Sequence, residues 1–325
     1  MKPFYITTAA AVLTACSLTA SAQDPFFSQA HRSPLSLNPA LAGDGQEHAW
    51  RLQSNLRSQW WGGGGAEPYR TASVSIERKL LTGDNYLVLA GGVQSETSNG
   101  GVLKNNFASV GAAYHNTLDK EGRHTLAAGL LGTYAARMLD PTKATTQTQF
   151  GSFGFMRGTV AYDPIMARRN QYWDVQTGLG YSYQGPKWSW HLGGAIYHAA
   201  RPKEGAYNDG DYRLPSRKVV EGSAGLDNES GGRWTFRGNI QHQADHKVEQ
   251  LAIDYRLPLG VDGESKALIF GLGSRLEDSF FPYIALQWQG LEAGLSYDQV
   301  FGSVHRYYNQ VRSAELTFRY SFGKQ

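Results

Sequence analysis

The fold is decided by the stretch SAELTFRYSF, residues 313–322, at the carboxyl end of the chain. Apolar side chains occupy every second position from Ala314 to Phe322, and Ser, Glu, Thr and Arg occupy most of the positions between them. A period of two places the two sets on opposite faces of a β-strand. The stretch therefore predicts a terminal strand with one apolar face and one polar face.

The same alternation recurs upstream, in segments separated by clusters rich in Gly, Asn, Asp and Pro. The pattern predicts about fourteen strands, an even number, as single-chain bacterial barrels require. They are expected near residues 48–60, 70–80, 86–95, 105–117, 123–137, 172–184, 187–198, 216–226, 232–243, 248–257, 266–276, 280–289, 291–301 and 312–322.

These strands indicate a membrane protein even though the mean hydropathy is only −0.43. In a transmembrane β-barrel only alternate side chains face lipid, so the average stays low. Backbone groups find no water partner in hydrocarbon, so strands enter a bilayer only as a closed sheet. The predicted fold class is all-β, a transmembrane antiparallel β-barrel in the bacterial outer membrane with lipid as a partner.

The spacing of the connections supports this prediction. In barrels, short periplasmic turns alternate with longer outer loops. From a periplasmic start, the even-numbered connections are short, and the third odd-numbered one, 138–171, is the longest. The connections near 244–247 and 277–279 belong to the outer set but are short, so they fit the pattern poorly.

Aromatic residues flank one predicted turn, with Tyr181 and Tyr183 before it and Trp188 and Trp190 after it. Amphipathic rings favour the depth of the lipid headgroups, so this group is interpreted as part of a girdle on the periplasmic side. The alternative is that these rings belong to the core of a soluble sandwich.

The amino terminus is typical of a signal peptide. Lys2 is followed by an apolar stretch to Leu18, and Ala20-Ser21-Ala22 offers a cleavage site before Gln23. Residues 13–16 (LTAC) also resemble a lipobox, so lipidation of Cys16 stays an alternative. The predicted domains are a signal peptide, 1–22, a segment 23–45 and a barrel, 46–325. Cys16 is the only cysteine, so the expected mature chain has no disulfide.

The segment 23–45 does not alternate. It contains QDPFFSQ at residues 23–29 and LNPALAG at 37–43, and NLRSQW follows at 55–60. Asn-Pro and Ala-Gly are turn signals. The segment is expected either to lie as a periplasmic extension or to fold into the barrel as a plug.

These motifs, in this order, resemble the start of the PorP/SprF family of outer-membrane proteins of the type IX secretion system. The resemblance continues in ALIFGLGSR at 267–275 and LEAGLSYDQ at 291–299. It implies a barrel that helps to secrete or anchor partner surface proteins, including those of gliding motility. The implied partners are a cargo protein with a C-terminal sorting domain and components of the secretion ring or translocon. The motif residues expected to contact a partner or form the plug are Asp24, Pro25, Phe27, Ser28, Gln29, Asn38, Pro39, Ala40, Gly43, Arg57 and Trp60.

No catalytic motif stands out, so the chain is not expected to be an enzyme or to carry a cofactor or metal. His242 and His246 have a spacing that suits a metal only on a helix, and they fall at a predicted turn. The net charge of +3 is weak and scattered, which argues against nucleic acid. The predicted lumenal residues Asp254, Arg256, Glu315 and Arg319 suit a second function equally well, that of a diffusion channel or small-molecule transporter.

Overall fold

The structure is a computed structural model that describes residues 24–62, 67–82, 84–145, 147–152, 154–156, 169–203, 213–260, 266–302 and 311–324. The predicted signal peptide 1–22, with Cys16 and the cleavage site, lies outside these residues. Within the described ranges, none of the helices has the length and apolar character needed to span a membrane.

Fourteen strands of the described chain form one closed antiparallel barrel, which confirms the predicted fold. The ring closes where the last strand pairs with the first, with Leu56 opposite Leu316. The barrel strands are β1 (Trp50–Trp61), β2 (Tyr69–Thr82), β3 (Asn85–Ser98), β4 (Leu103–Thr117), β5 (His124–Leu139), β8 (Arg169–Gln184), β9 (Trp188–Tyr197), β10 (Arg217–Asp227), β11 (Arg233–Gln243), β12 (His246–Pro258), β13 (Lys266–Arg275), β14 (Ser279–Trp288), β15 (Leu291–Val300) and β16 (Arg312–Phe322).

Two further strands, β6 (Phe150–Gly151) and β7 (Gly154–Phe155), form a small separate sheet in the longest connection. The sequence analysis did not predict them, because two residues are too few to show an alternating pattern. The fourteen predicted strands all exist, and their predicted bounds differ from the observed ones by a few residues.

The alternation separates an outer face from an inner face in the way the last strand predicts. In β16, the side chains of Leu316 and Phe318 are 49% and 41% exposed, whereas those of Glu315 and Thr317 are 0% and 3% exposed. Polar residues thus point into the lumen and apolar residues point outward, where a bilayer would cover them.

The two ends of the barrel differ in the length of their connections. At the end called here the short-turn end, the strands are joined by residues 83–84, 118–123, 185–187, 228–232, 259–265 and 289–290. The opposite end, called the long-loop end, carries the connections 62–68, 140–168, 198–216 and 301–311, together with shorter ones. Two of those shorter ones, 244–245 and 276–278, are the exceptions noted in the sequence. By the usual rule for bacterial barrels, the short-turn end faces the periplasm.

Aromatic rings gather on the outer face at the short-turn end. Trp188 and Trp190 are exposed there, and the ring of Trp190 lies 5.2 Å from that of Tyr181. Across the closing seam, Trp50 stacks on Phe322 at 6.3 Å. This placement agrees with a girdle at headgroup depth and disagrees with a soluble core.

Residues 24–46, called here the N-terminal segment, lie inside the barrel against its inward-facing side chains. The segment contains a one-turn helix, α1 (Pro34–Leu37), between two 3-10 turns, Ala30–Arg32 and Pro39–Leu41. Proline is compatible with these turns because it stands in the first helical turn, where no partner for its nitrogen is needed.

The N-terminal segment runs through the lumen from one end to the other. At its start, the backbone N–H of Asp24 donates to the side chain of Gln243, the last residue of β11, at the long-loop end. Near its end, the carbonyl of Asp44 accepts from Arg51, the second residue of β1, at the short-turn end. Apolar side chains fill the space between, with Leu37 packed on Tyr197 and Val219, and Leu35 in a second cluster with Val88.

Candidate functional site

The first contact region is a charged cluster around Ser28, formed with Arg57, Asp298 and Glu315. The Ser28 N–H donates to Glu315 Oε2 at 2.7 Å, and its hydroxyl donates to Asp298 Oδ2 at 2.7 Å. Arg57 bridges the two carboxylates, at 2.8 Å from Asp298 and 3.3 Å from Glu315. All three charged side chains are at most 1% exposed, so their charges depend on one another for compensation.

Neighbouring groups complete this charged cluster. Asn55 Nδ2 donates to Glu315 Oε1 at 3.1 Å, and the N–H of Gln29 donates to the same carboxylate at 3.2 Å. Arg275 approaches Asp298 at 3.3 Å. The ring of Phe26 lies under the guanidinium groups of both Arg57 and Arg275, 5.7 and 5.0 Å from its centre, which favours their positive charge.

The second contact region surrounds Asn38, whose side chain uses both its donor and its acceptor. Its Nδ2 donates to the carbonyl of Leu179 at 3.0 Å and to Glu221 Oε1 at 3.0 Å. Its Oδ1 accepts from the N–H of Ala40 at 2.9 Å and so caps the 3-10 turn that follows. The same Glu221 carboxylate lies 2.9 Å from His191 Nε2. Asn38 is completely buried.

Glycines of β5, β8 and β9 form the wall against which this turn packs, called here the glycine groove and made of Gly129, Gly178 and Gly193. A Cβ on Gly129 would lie 2.3 Å from the backbone carbon of Pro39, and one on Gly178 would lie 1.9 Å from the Asn38 side chain. A Cβ on Gly193 would lie 2.7 Å from the same side chain. These strand glycines therefore allow a close approach of the N-terminal segment to the wall.

The third contact region holds the end of the segment. The N–H of Gly43 donates to Glu77 Oε2 at 2.7 Å, and Arg51 pairs with the same carboxylate at 2.5 Å. Gly43 has a φ of +78°, and a Cβ there would lie 2.3 Å from Val88. The position therefore requires glycine for both its conformation and its space.

The fourth contact region joins Asp24, the first residue of the described chain, to His198, which directly follows the last residue of β9. His198 Nε2 lies 2.7 Å from Asp24, and its Nδ1 lies 2.7 Å from Asp174. Burial alone would lower the pKa of His198, but the two carboxylates raise it to about 9. Burial alone would raise the pKa of Asp24, but His198 and Arg217 hold it well below its usual range.

The structure brings together ten of the eleven predicted motif residues. Pro25 and Phe27 are buried in the lumen, and the Phe27 carbonyl accepts from Gln250 at 3.0 Å. Trp60 stands apart, at a register shift between β1 and β16, where its backbone N–H donates to the Ser313 hydroxyl and its ring contacts that of Tyr69. Trp60 therefore belongs to the wall at the long-loop end.

Apart from Arg57, sequence analysis did not identify the wall residues that receive the segment. Glu315 was named only as a generic lumenal residue, and Glu77, Glu221 and Asp298 were not singled out. The sequence does contain a signal for these four residues, because each is a carboxylate at an inward-facing position of an alternating strand. The pattern does not reveal which carboxylate meets which part of the segment.

The two histidines considered as metal ligands lie at the turn between β11 and β12, and both are exposed. In the part of the chain that the structure describes, no three His, Cys, Asp or Glu residues are arranged to hold a metal ion.

A closed barrel with an apolar outer face and aromatic girdle defines an outer-membrane β-barrel protein. A family model described as type IX secretion system membrane protein PorP/SprF matches residues 19–320. The chain therefore belongs to the PorP/SprF family, and its location is the outer membrane.

The solved structures that are similar to this chain are distant from it in sequence. The CymD monoaromatic hydrocarbon channel is 12% identical, with a TM-score of 0.52, over 90% of this chain and 93% of that one. A TodX deltaS2S3 mutant monoaromatic hydrocarbon channel is 14% identical, with a TM-score of 0.49, over 89% of this chain and 94% of that one. The toluene transporter TodX of P. putida is 10% identical, with a TM-score of 0.48, over 89% of this chain and 93% of that one. At these identities the similarity concerns the fold alone. A search of curated protein sequences gives no match.

Proposed function

We propose that this protein is an accessory barrel of type IX secretion that helps to secrete or anchor a partner surface protein. In this role it binds a cargo with a C-terminal sorting domain, together with ring or translocon components of the system. Membership of the family supports the general role. The proposal rests on one observation: the protein's own N-terminal segment occupies the lumen. Its Ser28, Asn38 and Gly43 each form buried hydrogen bonds with the barrel wall.

An occupied lumen favours docking over conduction. A diffusion channel needs a continuous hydrated path, whereas here Phe27, Asn38 and Ala40 are at most 1% exposed inside the barrel. The segment 23–45 therefore acts as a plug in this proposal. The buried carboxylates that the sequence offered as channel-lining groups, Glu315 and Asp254, are engaged in ion pairs.

The proposal is tested by affinity purification of the full chain from detergent-extracted outer membranes, followed by mass spectrometry. A barrel that binds cargo co-purifies with one large secreted protein that carries a C-terminal sorting domain. Recovery of the barrel without secreted protein or secretion components contradicts the proposal.

The plug is tested by deletion of residues 24–45 after the leader. The shortened barrel is first checked for assembly by its heat-modifiable migration on gels. Cargo display at the cell surface should then be lost, and planar bilayers should show a conductance that the full chain lacks. Unchanged cargo display, or equal conductance of the two proteins, would contradict the proposal that this segment is a plug.

A further inference from the structure

A small cavity lies between the N-terminal segment and the barrel wall, in the half of the lumen nearer the long-loop end. It is called here the lumenal cavity and has a volume of about 100 Å³. Pro25, Ser33 and Leu35 of the segment line one side of it, and inward-facing residues of the wall line the other. The segment is therefore separated from the wall here, whereas in the glycine groove the two are in close contact.

Strand register shows how the wall leaves this space. At one level, five neighbouring strands each contribute a short side chain or none, and each residue pairs with the next across the sheet: Ser75, Gly92, Ser109, Thr133 and Asp174. The adjacent level becomes apolar towards β8 and consists of Ser73, Gln94, Phe107, Ala135 and Tyr172. All ten residues line the cavity. The cavity thus combines a row of polar groups with an apolar surface beside it.

The polar row ends in a carboxylate oxygen that lacks a donor. Thr133 donates to Gln176 Oε1 at 3.1 Å, and Gln176 Nε2 donates to Asp174 Oδ2 at 2.7 Å. His198 Nδ1 lies 2.7 Å from the same oxygen. Asp174 is 3% exposed, and its other oxygen, Oδ1, is buried without a hydrogen-bond partner among the described residues. A buried acceptor of this kind is stabilised by a donor, and a hydroxyl group in the cavity can supply one.

The charges that line the cavity balance. His198 lies between Asp174 and Asp24, 2.7 Å from each, so both of its ring nitrogens carry a hydrogen and the ring is positive. Arg217 supplies the second positive charge, with its Nε 3.1 Å from Asp24. Two cations therefore face two carboxylates, and these four are the charged residues of the lining.

The next level towards the long-loop end is balanced as well. Asn105 Nδ2 donates to Glu96 Oε2 at 3.0 Å, and its Oδ1 accepts from Arg137 Nε at 2.9 Å. One carboxylate and one guanidinium thus share the same amide. An ion that entered the cavity would find no opposite charge to compensate it, so the site favours a neutral occupant.

We propose that the lumenal cavity is a binding site for a small neutral polyol of the glycerol class. One hydroxyl donates to Asp174 Oδ1, and the carbon chain packs on the apolar surface around Phe107 and Ala135. A volume of about 100 Å³ is the liquid share of roughly three water molecules, which limits the ligand to a few carbon atoms. The inference goes beyond the proposed function, because cargo binding does not require this cavity.

Other occupants match the lining less well. A hydrocarbon leaves Asp174 Oδ1 and the serine hydroxyls without partners, at the cost of burying unpaired polar groups. Water alone satisfies the polar row but leaves the apolar surface around Phe107 in contact with water, and apolar cavity walls disfavour it. A polyol has both kinds of group on one short chain.

The test is a titration of the purified full chain, in detergent, with glycerol, followed by saturation-transfer NMR. Glycerol should give a saturable signal, and glycerol 3-phosphate should bind at least about tenfold more weakly because its charge is not compensated in the cavity. Ser75→Leu fills the cavity and should weaken glycerol binding at least about tenfold. Ser75→Ala removes the hydroxyl but keeps the space, so its affinity should stay within about tenfold of the original.

The matched control is Ser95→Leu, which adds the same volume on the outward face of β3 and should bind glycerol as the original protein does. Ala135→Leu fills the cavity from the adjacent row and repeats the test with an independent substitution. Assembly of every variant is checked by heat-modifiable migration. The proposal is overturned if both filling variants bind glycerol normally, if Ser95→Leu is equally damaging, or if glycerol 3-phosphate binds as well as glycerol. A glycerol signal that does not saturate would assign the cavity to water only.

Discussion

The charged cluster around Ser28 and the glycine groove around Asn38 hold the same segment by different physical means. At Ser28 the segment supplies hydrogen-bond donors to two carboxylates that Arg57 bridges. At Asn38 the segment approaches the wall so closely that Gly129 and Gly178 have no room for a Cβ. The first contact is electrostatic, and the second depends on shape.

This difference predicts different sensitivities. The charged cluster should respond to any change that leaves a buried carboxylate without its partner, whereas the glycine groove should respond to added volume of any polarity. Both contacts act on one segment, so a loss at either should expose the segment to protease.

The largest effect is expected from Arg57→Gln. The substitution leaves Asp298 and Glu315 buried without the guanidinium that joins them, at a cost of about 3–5 kcal/mol. The measurement is the rate at which protease cleaves the N-terminal segment of the folded barrel. Arg213→Gln, at an exposed loop position, is the matched control and should leave the rate unchanged. Equal rates for the two variants would contradict the account.

A smaller effect is expected from Gly129→Ala, because the new methyl group meets the backbone of Pro39 and forces the segment away from the wall. Overpacking of this kind costs about 1–3 kcal/mol. The same protease assay reports it. In Gly132→Ala the new Cβ has its nearest contact at 3.8 Å, so that variant should remain protected. Protection in both would show that the groove is not tight.

Asn38→Ala should cost about as much as an unsatisfied buried hydrogen-bonding group, roughly 1–3 kcal/mol. It removes the amide that joins Leu179, Glu221 and Ala40. The expected result is a lower unfolding temperature in heat-modifiable migration, together with faster cleavage of the segment. Asn116→Ala, in β4, serves as the control, and a lowering of equal size there would count against the role of Asn38.

The smallest effect is a dependence on pH at the start of the segment. The pKa of His198 is raised to about 9, so its contribution is complete below the ordinary pKa of about 6.5 and is lost as pH rises through 9. The lowered pKa of Asp24 gives a contribution that is lost as pH falls below about 4. Cleavage near Asp24 should therefore be several-fold faster at high pH than at pH 6. His198→Gln should abolish this difference, and a persistent difference would assign it to another group.

The barrel was predictable from sequence because its alternation is local and repeats. A stretch such as 313–322 fixes both its strand and its faces without reference to any other part of the chain. The two-residue strands β6 and β7 carry no such signal. The motif residues were also identifiable, through their resemblance to a family.

The partners of those motif residues were not predictable. Ser28 and Glu315 are separated by 287 positions and meet only because the barrel closes and the segment turns back into it. Likewise, the sequence around Gly178 does not show that Asn38 packs against this glycine, and only the structure reveals the contact.

The occupied lumen is tested most directly by the reactivity of single cysteines toward a membrane-impermeant maleimide. Cys16, the chain's only cysteine, lies in the predicted leader, so each new thiol is alone in the expected mature protein. Ser33→Cys places a thiol of similar size at a buried lumenal position, and Glu47→Cys places one at an exposed position near the short-turn end. In the folded barrel, Glu47→Cys should react readily, and Ser33→Cys only after denaturation. Comparable reaction rates in the folded barrel would contradict the account.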